Sequence, residues 1–88
     1  MYEYGFRGSV EKLLKKLAKK DPKQLSIIQN KVEEIILNPQ HYKNLRKPLQ
    51  HLKRVHIDRS FVLVFSVDET TRTIIIEDYN HHDNIYSK

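Results

Sequence analysis

Two apolar helical stripes, separated by a short break, constrain the fold of this chain more than any other feature. The first stripe comprises Val10, Leu13, Leu14, Leu17 and Ala18. The second comprises Leu25, Ile28, Val32, Ile35 and Ile36. Between them, Asp21 is a suitable helix cap, Pro22 suits a first helical position, and Gln24 occupies the reciprocal capping-box site. Neither stripe can bury its apolar side alone, so the pattern predicts an antiparallel helical hairpin, over about residues 10–20 and then from Pro22 to Asn38-Pro39.

The remaining apolar segments have the patterns of strands. Residues 2–6 alternate aromatic side chains with Glu and Gly, and residues 54–57 form a short strand. Residues 61–67 are almost continuously apolar, which predicts a central strand covered on both sides. Residues 68–71 have the composition of a turn, and residues 72–79 then pair back as the next strand.

The order of these elements predicts the fold class. An initial strand, a helical hairpin and three antiparallel strands make an α+β protein, in which the hairpin covers one face of an antiparallel sheet. Residues 38–52 show no period and contain Pro39 and Pro48, so we expect a loop from the helices to the sheet. A chain of 88 residues has the size of one domain, which we assign to residues 1–88.

Composition excludes several classes of function. The absence of cysteine rules out disulfides, thiolate zinc sites, iron–sulfur clusters and a cysteine nucleophile. Two glycines are too few for a glycine-rich phosphate loop. No apolar run approaches the roughly 18 residues that span a bilayer, and the first residues lack the pattern of a secretory leader. We therefore expect a cytoplasmic protein that uses no cofactor and no membrane.

Positive charge is concentrated in parts of the chain. Sixteen Lys and Arg against 11 Asp and Glu give a net charge of +5. Residues 43–59 are strongly basic, whereas residues 68–83 are mainly acidic. A second basic block, residues 12–20, fits either a binding surface or the solvated side of a helix. Such segregation predicts a face that binds an anionic partner such as nucleic acid.

Two histidines stand out as candidates for proton transfer. His82 follows the last apolar strand, where a rigid element ends. In an extended segment that begins at Arg54, Arg54, His56 and Asp58 share one face, and the apolar residues between them face the helices. Both histidines belong to one sheet, so we expect them to open onto one concave surface, where imidazole groups exchange protons near neutral pH.

A metal site is not expected from the same residues. His81 and His82 are adjacent and point to opposite sides of a strand, and the spacing of two ligands on one helix face is missing.

With these features the chain resembles the RelE/ParE superfamily of type II toxin–antitoxin toxins, in particular its RelE-type mRNA interferases. The similarity covers essentially the whole chain. It is most specific in Arg54–Phe65, with the sequence RVHIDRSFVLVF, and in the closing segment His82–Tyr86. The His-Ile-acid-x-x-aromatic segment and the terminal His-x-x-x-aromatic pattern are most similar to the YafQ-like branch.

The resemblance implies a RelE-like microbial RNase-type fold and an endoribonuclease that cleaves mRNA in the ribosomal A site. Cleavage would be metal-independent, by attack of the 2′-OH, and a RelB-like antitoxin would be the cognate partner. The catalytic residues would be His56, His82 and Tyr86. Phosphate and RNA binding are predicted for His51, Lys53, Arg54, Arg59 and Phe61. Contacts to ribosomal RNA are predicted for Lys15, Lys16, Lys19, Lys43, Arg46 and Lys47.

Two positions depart from the family pattern. RelE toxins proper carry an arginine where this chain has Val62, and Ser60 stands where the YafQ-like branch has a functional acid. The phosphate-binding cation would then be Lys53, Arg54 or Arg59, among which the sequence does not decide. Two other functions fit the same chain: a ParE-like toxin that inhibits DNA gyrase without chemistry, and an inactive RNA-binding module.

Overall fold

The structure, a computed structural model, describes residues 2–86 and only the backbone of Tyr86. The elements in chain order are β1 (Glu3–Phe6), α1 (Gly8–Lys20), α2 (Pro22–Leu37), a 3₁₀ turn (Pro39–His41), β2 (Lys53–Ile57), β3 (Phe61–Asp68), β4 (Thr73–His81) and α3 (His82–Tyr86). The predicted α+β class, with an initial strand, a helical hairpin and three further strands, is confirmed.

The four strands form one open sheet in the order β1-β4-β3-β2. β2 pairs with β3 and β3 with β4 in antiparallel fashion, as expected. β1, however, lies parallel to β4, with Glu3 opposite Thr73, so the prediction of an antiparallel sheet is wrong for this strand. A parallel pair requires a long connection, which the helices and the other strands supply. The alternation in residues 2–6 is the same in either direction and carries no information on orientation.

The helical hairpin packs on one face of the sheet and forms the main core with it. The Asp21 side chain caps α2 by accepting a hydrogen bond from the Gln24 backbone N–H at 3.1 Å. The Gln24 side chain does not complete the capping box; its amide donates instead to the buried Tyr79 hydroxyl at 2.9 Å. The hairpin is therefore anchored to β4 by a buried polar contact. The fully buried side chains of this core include Val10, Ile28, Ile35, Ile57, Leu63, Phe65, Ile74 and Ile76.

A second, smaller core lies on the other face of the sheet. It comprises Leu45, Val62, Val64 and Ile85, with Leu49 and Leu52 packed against them. Three of these side chains come from residues 42–52, namely Leu45, Leu49 and Leu52. We call residues 42–52 the covering segment because they lie over β3. The prediction that β3 is covered on both sides is confirmed for its first half. We refer to these six side chains as the small core.

Polar residues on the same face form a charged cluster around Glu77, beside a shift in the register between β3 and β4 at Val64 and Phe65. Arg7 Nε lies 2.7 Å from Glu77 Oε1, and the Ser66 hydroxyl donates to Glu77 Oε2 at 2.6 Å. Burial opposes the charge of this carboxyl, but the hydrogen bonds from Arg7 and Ser66 outweigh it and hold the pKa of Glu77 below its ordinary value. The ionised form therefore stabilises the fold.

This cluster makes the stability of the protein depend on pH. The contribution of Glu77 is present in full above the pKa of an unfolded glutamate, about 4.3, and it disappears as the pH falls through the lower folded value. Glu77→Gln is expected to lower the melting temperature by a few degrees at pH 7. Calorimetry of both proteins should show this gap narrowing as the pH falls below 4. A gap of constant size would contradict the assignment.

None of the helices in residues 2–86 is both long and apolar enough to cross a membrane.

Candidate active site

His56 and His82 meet on the face of the sheet that the helices leave open. Their rings are stacked, with centroids 5.7 Å apart and an angle of 23° between the planes. His56 points to this face because Val55 and Ile57, its neighbours on β2, are buried in the main core. His82 is held where β4 passes into α3, since its backbone N–H donates to the Ser60 carbonyl at 2.7 Å. The His56 side chain is exposed and accessible to a substrate.

The two rings line a pocket of about 520 Å³, which we call the histidine pocket. Its other lining residues are Asn44, Leu45, Arg46, Lys47, Pro48, Leu49, Arg54 and Ile85. Arg46 and Lys47 come from the covering segment and Arg54 from β2, so cations approach the imidazoles from two sides. An anion of phosphate type fits such a combination, because positive charge and proton-transfer groups face the same space.

Lys53 lies outside this pocket and has a different role. Its ammonium group donates to the Tyr42 carbonyl and to Asn44 Oδ1, both at 3.1 Å. The Asn44 amide in turn donates to the Gln50 carbonyl at 2.7 Å. Lys53 therefore fastens the covering segment to β2, and the prediction that it binds phosphate beside His56 is not supported by this geometry.

Phe61 also lies elsewhere. Its ring stacks on Tyr79 at 5.1 Å and contacts His81 edge-on at 5.6 Å. Both Phe61 and Tyr79 pack against the main core, on the helix-covered face, and burial raises the pKa of Tyr79. The structure thus places Phe61 on the opposite face of the sheet from the two catalytic candidates, and its role in RNA binding stays a prediction. The alternation of β3, in which Val62 faces the small core, is the reason for this placement.

The remaining predicted residues lie around the pocket at various distances. His51 lines an open trough farther along the sheet, with Ser66 and Thr73. Arg59 is exposed in the turn after β2. Asp58 does not share the face of Arg54 and His56 as predicted, because β2 ends at Ile57 and Asp58 has a φ of 56°. Lys43 is exposed next to β2, where its carbonyl accepts from the Arg54 N–H at 3.1 Å.

The predicted ribosome contacts divide into two groups. Lys15, Lys16 and Lys19 are exposed on α1, in the layer on the far side of the sheet from the histidines. Arg46 and Lys47, in contrast, line the histidine pocket itself. The sequence placed these two cations in a loop of no recognisable period. The signal for their position is the spacing of three leucines, Leu45, Leu49 and Leu52, whose side chains pack in the small core and hold the loop against the sheet.

Both departures from the family pattern have a structural explanation. Val62 is fully buried in the small core, so a phosphate could not contact a side chain at this position. Ser60 acts through its backbone, since its carbonyl accepts the hydrogen bond from His82. Of the three alternatives left open by the sequence, Arg54 lines the histidine pocket, together with Arg46 and Lys47.

The end of the chain adds an acid to the site. Asp83 Oδ1 lies 3.6 Å from His82 Nδ1, and its other oxygen lies 3.8 Å from His81 Nδ1. His81 turns towards Phe61 and His82 towards His56, so the predicted divergence of the two rings is present. The side chain of Tyr86, the third predicted catalytic residue, lies outside the described residues.

One of the sequence relatives of this chain is a toxin in name. No protein-family model matches the sequence. A protein of Methanocaldococcus jannaschii with the name "Putative toxin RelE4" is 59% identical over 88 residues, which are 100% of this chain and 94% of that protein. An uncharacterized protein of Methanosarcina mazei is 56% identical over 86 residues, 98% of this chain and 100% of the relative.

Solved structures with the same fold include a toxin and a toxin–antitoxin complex. A YoeB/ParE toxin from Agrobacterium tumefaciens has a TM-score of 0.81 at 11% identity, over 91% of this chain and 98% of that one. A chain of the RelBE2 toxin–antitoxin complex from Mycobacterium tuberculosis has a TM-score of 0.77 at 20% identity, over 92% and 98%. YafQ from E. coli has a TM-score of 0.66 at 12% identity, over 98% and 99%. These similarities show the fold, and the YafQ-like branch stays a prediction.

An identity of 59% across the entire length, together with the RelE-like fold, settles the family: the chain belongs to the RelE/ParE superfamily of type II toxin–antitoxin toxins.

Proposed function

We infer that this toxin is a metal-independent endoribonuclease that cleaves messenger RNA in the ribosomal A site and thereby stops translation. The observation that carries the proposal is the His56–His82 pair, with centroids 5.7 Å apart, in a pocket lined by Arg46, Lys47 and Arg54. A toxin that only blocked a protein target would not need two imidazoles and three cations around one cavity.

The chemistry requires two proton transfers and the stabilisation of one anion. A base removes the proton of the ribose 2′-OH, whose oxygen attacks the phosphorus and forms a pentavalent phosphorane. An acid then protonates the departing 5′-oxygen, and the products carry a 2′,3′-cyclic phosphate and a 5′-OH. Imidazole performs either proton transfer near neutral pH, and each such step contributes about 10²–10⁴-fold. We assign the two transfers to His56 and His82 as a pair.

The cations of the pocket supply the electrostatic part. Arg54 rises from a rigid strand beside His56, whereas Arg46 and Lys47 face the same space from the covering segment. Preorganised positive charge stabilises the phosphorane more than the ground-state diester, because the negative charge grows during the attack. Contacts of this kind fix the phosphate without reading the base.

Family membership supports the ribosome as the place of cleavage and a RelB-like antitoxin as the cognate partner. The M. tuberculosis relative in fold was solved as a toxin–antitoxin complex. In this chain, Lys15, Lys16, Lys19 and Lys43 are exposed cations that suit ribosomal RNA backbone. A partly apolar groove of about 700 Å³ between β1 and the two helices, with Tyr4, Phe6 and Leu14 in its lining, suits an antitoxin segment. Both partners act in the cytoplasm.

Cleavage without a metal ion gives a direct test. Toxin is treated with EDTA, dialysed and then mixed with translating ribosomes, whose own magnesium is left untouched. We expect mRNA 5′ ends to appear inside codons at the same rate as with untreated toxin. Loss of activity on stripping, with recovery on addition of one divalent metal, would contradict the proposal. Folded toxin that produces no mRNA ends would instead favour a ParE-like inhibitor of DNA gyrase or an inactive RNA-binding module.

A further inference from the structure

The domain has two separate hydrophobic cores, and only one of them is needed to join the sheet to the helices. The main core contains buried residues of α1 and α2 and the buried residues of β2, β3 and β4 that face these helices. The small core lies on the other face and joins three pieces of chain: the covering segment, β3 and α3. Each of the two outer pieces carries part of the histidine pocket. The covering segment carries Arg46 and Lys47, and α3 carries His82.

Ile85 is the contribution of α3 to the small core. Its side chain is 7% exposed and packs in the cluster with Leu45, Val62 and Val64. It also lines the histidine pocket together with His82, one helical turn before it. Thus one apolar side chain lines the pocket and belongs to the same cluster as Leu45 of the covering segment and the two buried residues of β3.

Polar contacts also hold α3, and two of them act at different points. The His82 N–H donates to the Ser60 carbonyl at 2.7 Å, which fixes the backbone at the start of the helix. The Asn84 amide donates to Asn80 Oδ1 at 2.9 Å on an exposed side. These two contacts join α3 to the turn before β3 and to β4. Ile85 adds a buried apolar contact, which places α3 in the same cluster as Leu45 of the covering segment.

We propose that Ile85 is a positioning residue of the active site, which holds the His82 ring beside His56 and opposite the cations of the covering segment. The proposal rests on the proposed nuclease function for its kinetic consequence, but the ring geometry is independent of it. Burial of Val62 fits the same arrangement: the position that carries arginine in RelE toxins proper is used here as the floor on which Ile85 packs.

The test compares Ile85→Ala and Ile85→Val with Ile28→Val, a matched truncation in the main core, where Ile28 is 1% exposed. The first measurement is the nuclear Overhauser effect between the ring protons of His56 and His82 in the isolated protein. We expect this effect to be lost in Ile85→Ala, weakened in Ile85→Val, and unchanged in Ile28→Val at a comparable loss of melting temperature.

The second measurement is the kinetics of mRNA cleavage on ribosomes. Misplacement of a catalytic group by about 1 Å costs up to about 100-fold, so kcat of Ile85→Ala should fall roughly 10- to 100-fold with KM little changed. Ile85→Val should keep most of the wild-type kcat, and Ile28→Val should keep all of it. If Ile85→Ala does not fold, Ile85→Val is judged by the same criteria.

Two results would overturn the proposal. One is an intact ring contact and a normal kcat in a folded Ile85 variant; the other is an equal loss of the ring contact and of kcat in Ile85→Val and Ile28→Val. If the wild-type toxin cleaves no mRNA, the nuclease function fails, and the ring contact alone decides the role of Ile85.

Discussion

Replacement of His82 by alanine is expected to reduce mRNA cleavage at least about 100-fold while the fold and ribosome binding remain intact. The ring is half-buried beside His56, and it contributes neither to the main core nor to the small core. Its loss therefore removes a proton-transfer group and little packing. The measurement is the single-turnover rate of mRNA cleavage at saturating ribosomes, with a circular dichroism melt of the same sample.

His51→Ala is the matched control for this prediction. The resemblance implies a catalytic role for His82 and RNA binding for His51, but His51 lines the trough by Ser66 and Thr73, outside the histidine pocket. We expect His51→Ala to cleave within about twofold of the wild type. The double variant His56→Ala/His82→Ala should lose little more than the worse single variant, because the two rings act as a unit. Full activity of His82→Ala would remove this residue from the chemistry.

Replacement of Arg54 by glutamine is expected to lower the cleavage rate about 10²- to 10³-fold, the usual effect of removing one preorganised donor from a developing anion. Arg54 lies on the same face of β2 as His56, two residues away, and lines the pocket with both histidines. Arg54→Lys should recover part of the rate, since it keeps the charge but loses the fork of donors. The measurement is again kcat, separated from KM for ribosomes.

Arg59→Gln is the control for the loss of one positive charge. Arg59 is exposed in the turn between β2 and β3, so its loss changes the net charge equally without touching the pocket. We expect a small rise in KM that shrinks at higher salt, with kcat unchanged. If the two variants behave alike, Arg54 acts only through general attraction of RNA, and the assignment to the phosphorane is wrong.

The helical hairpin and the order of elements could be predicted because each depends on local patterns. The period of the stripes indicates two helices, and Asp21-Pro22 indicates the break between them. The parallel pairing of β1 with β4 depends on contacts between residues about 70 positions apart, with Glu3 opposite Thr73. Nothing in the alternation of residues 2–6 reports that choice. The use of the Gln24 side chain on Tyr79 instead of the helix cap has the same origin.

The site divides in a similar way. His56 could be placed on the open face because strand alternation buries its neighbours Val55 and Ile57, and His82 because it follows the last strand. The alternation of side chains along a strand also assigns Phe61 to the face opposite Val62. The resemblance to other toxins, in contrast, predicted that Phe61 lies in the active site. The positions of Arg46 and Lys47 depend on how the covering segment folds over β3. That fold depends on Lys53 and on the small core, and the spacing of Leu45, Leu49 and Leu52 is its one sign in a segment without a regular period.

The chemical identity of the new RNA ends, measured for the wild type and for His56→Ala/His82→Ala in one translating extract, tests the central claim most directly. Proton transfer by two imidazoles without a metal predicts 5′-OH ends and 2′,3′-cyclic phosphates from the wild type and almost none from the double variant. Ends with a 5′-phosphate, or equal yields from both proteins, would contradict it.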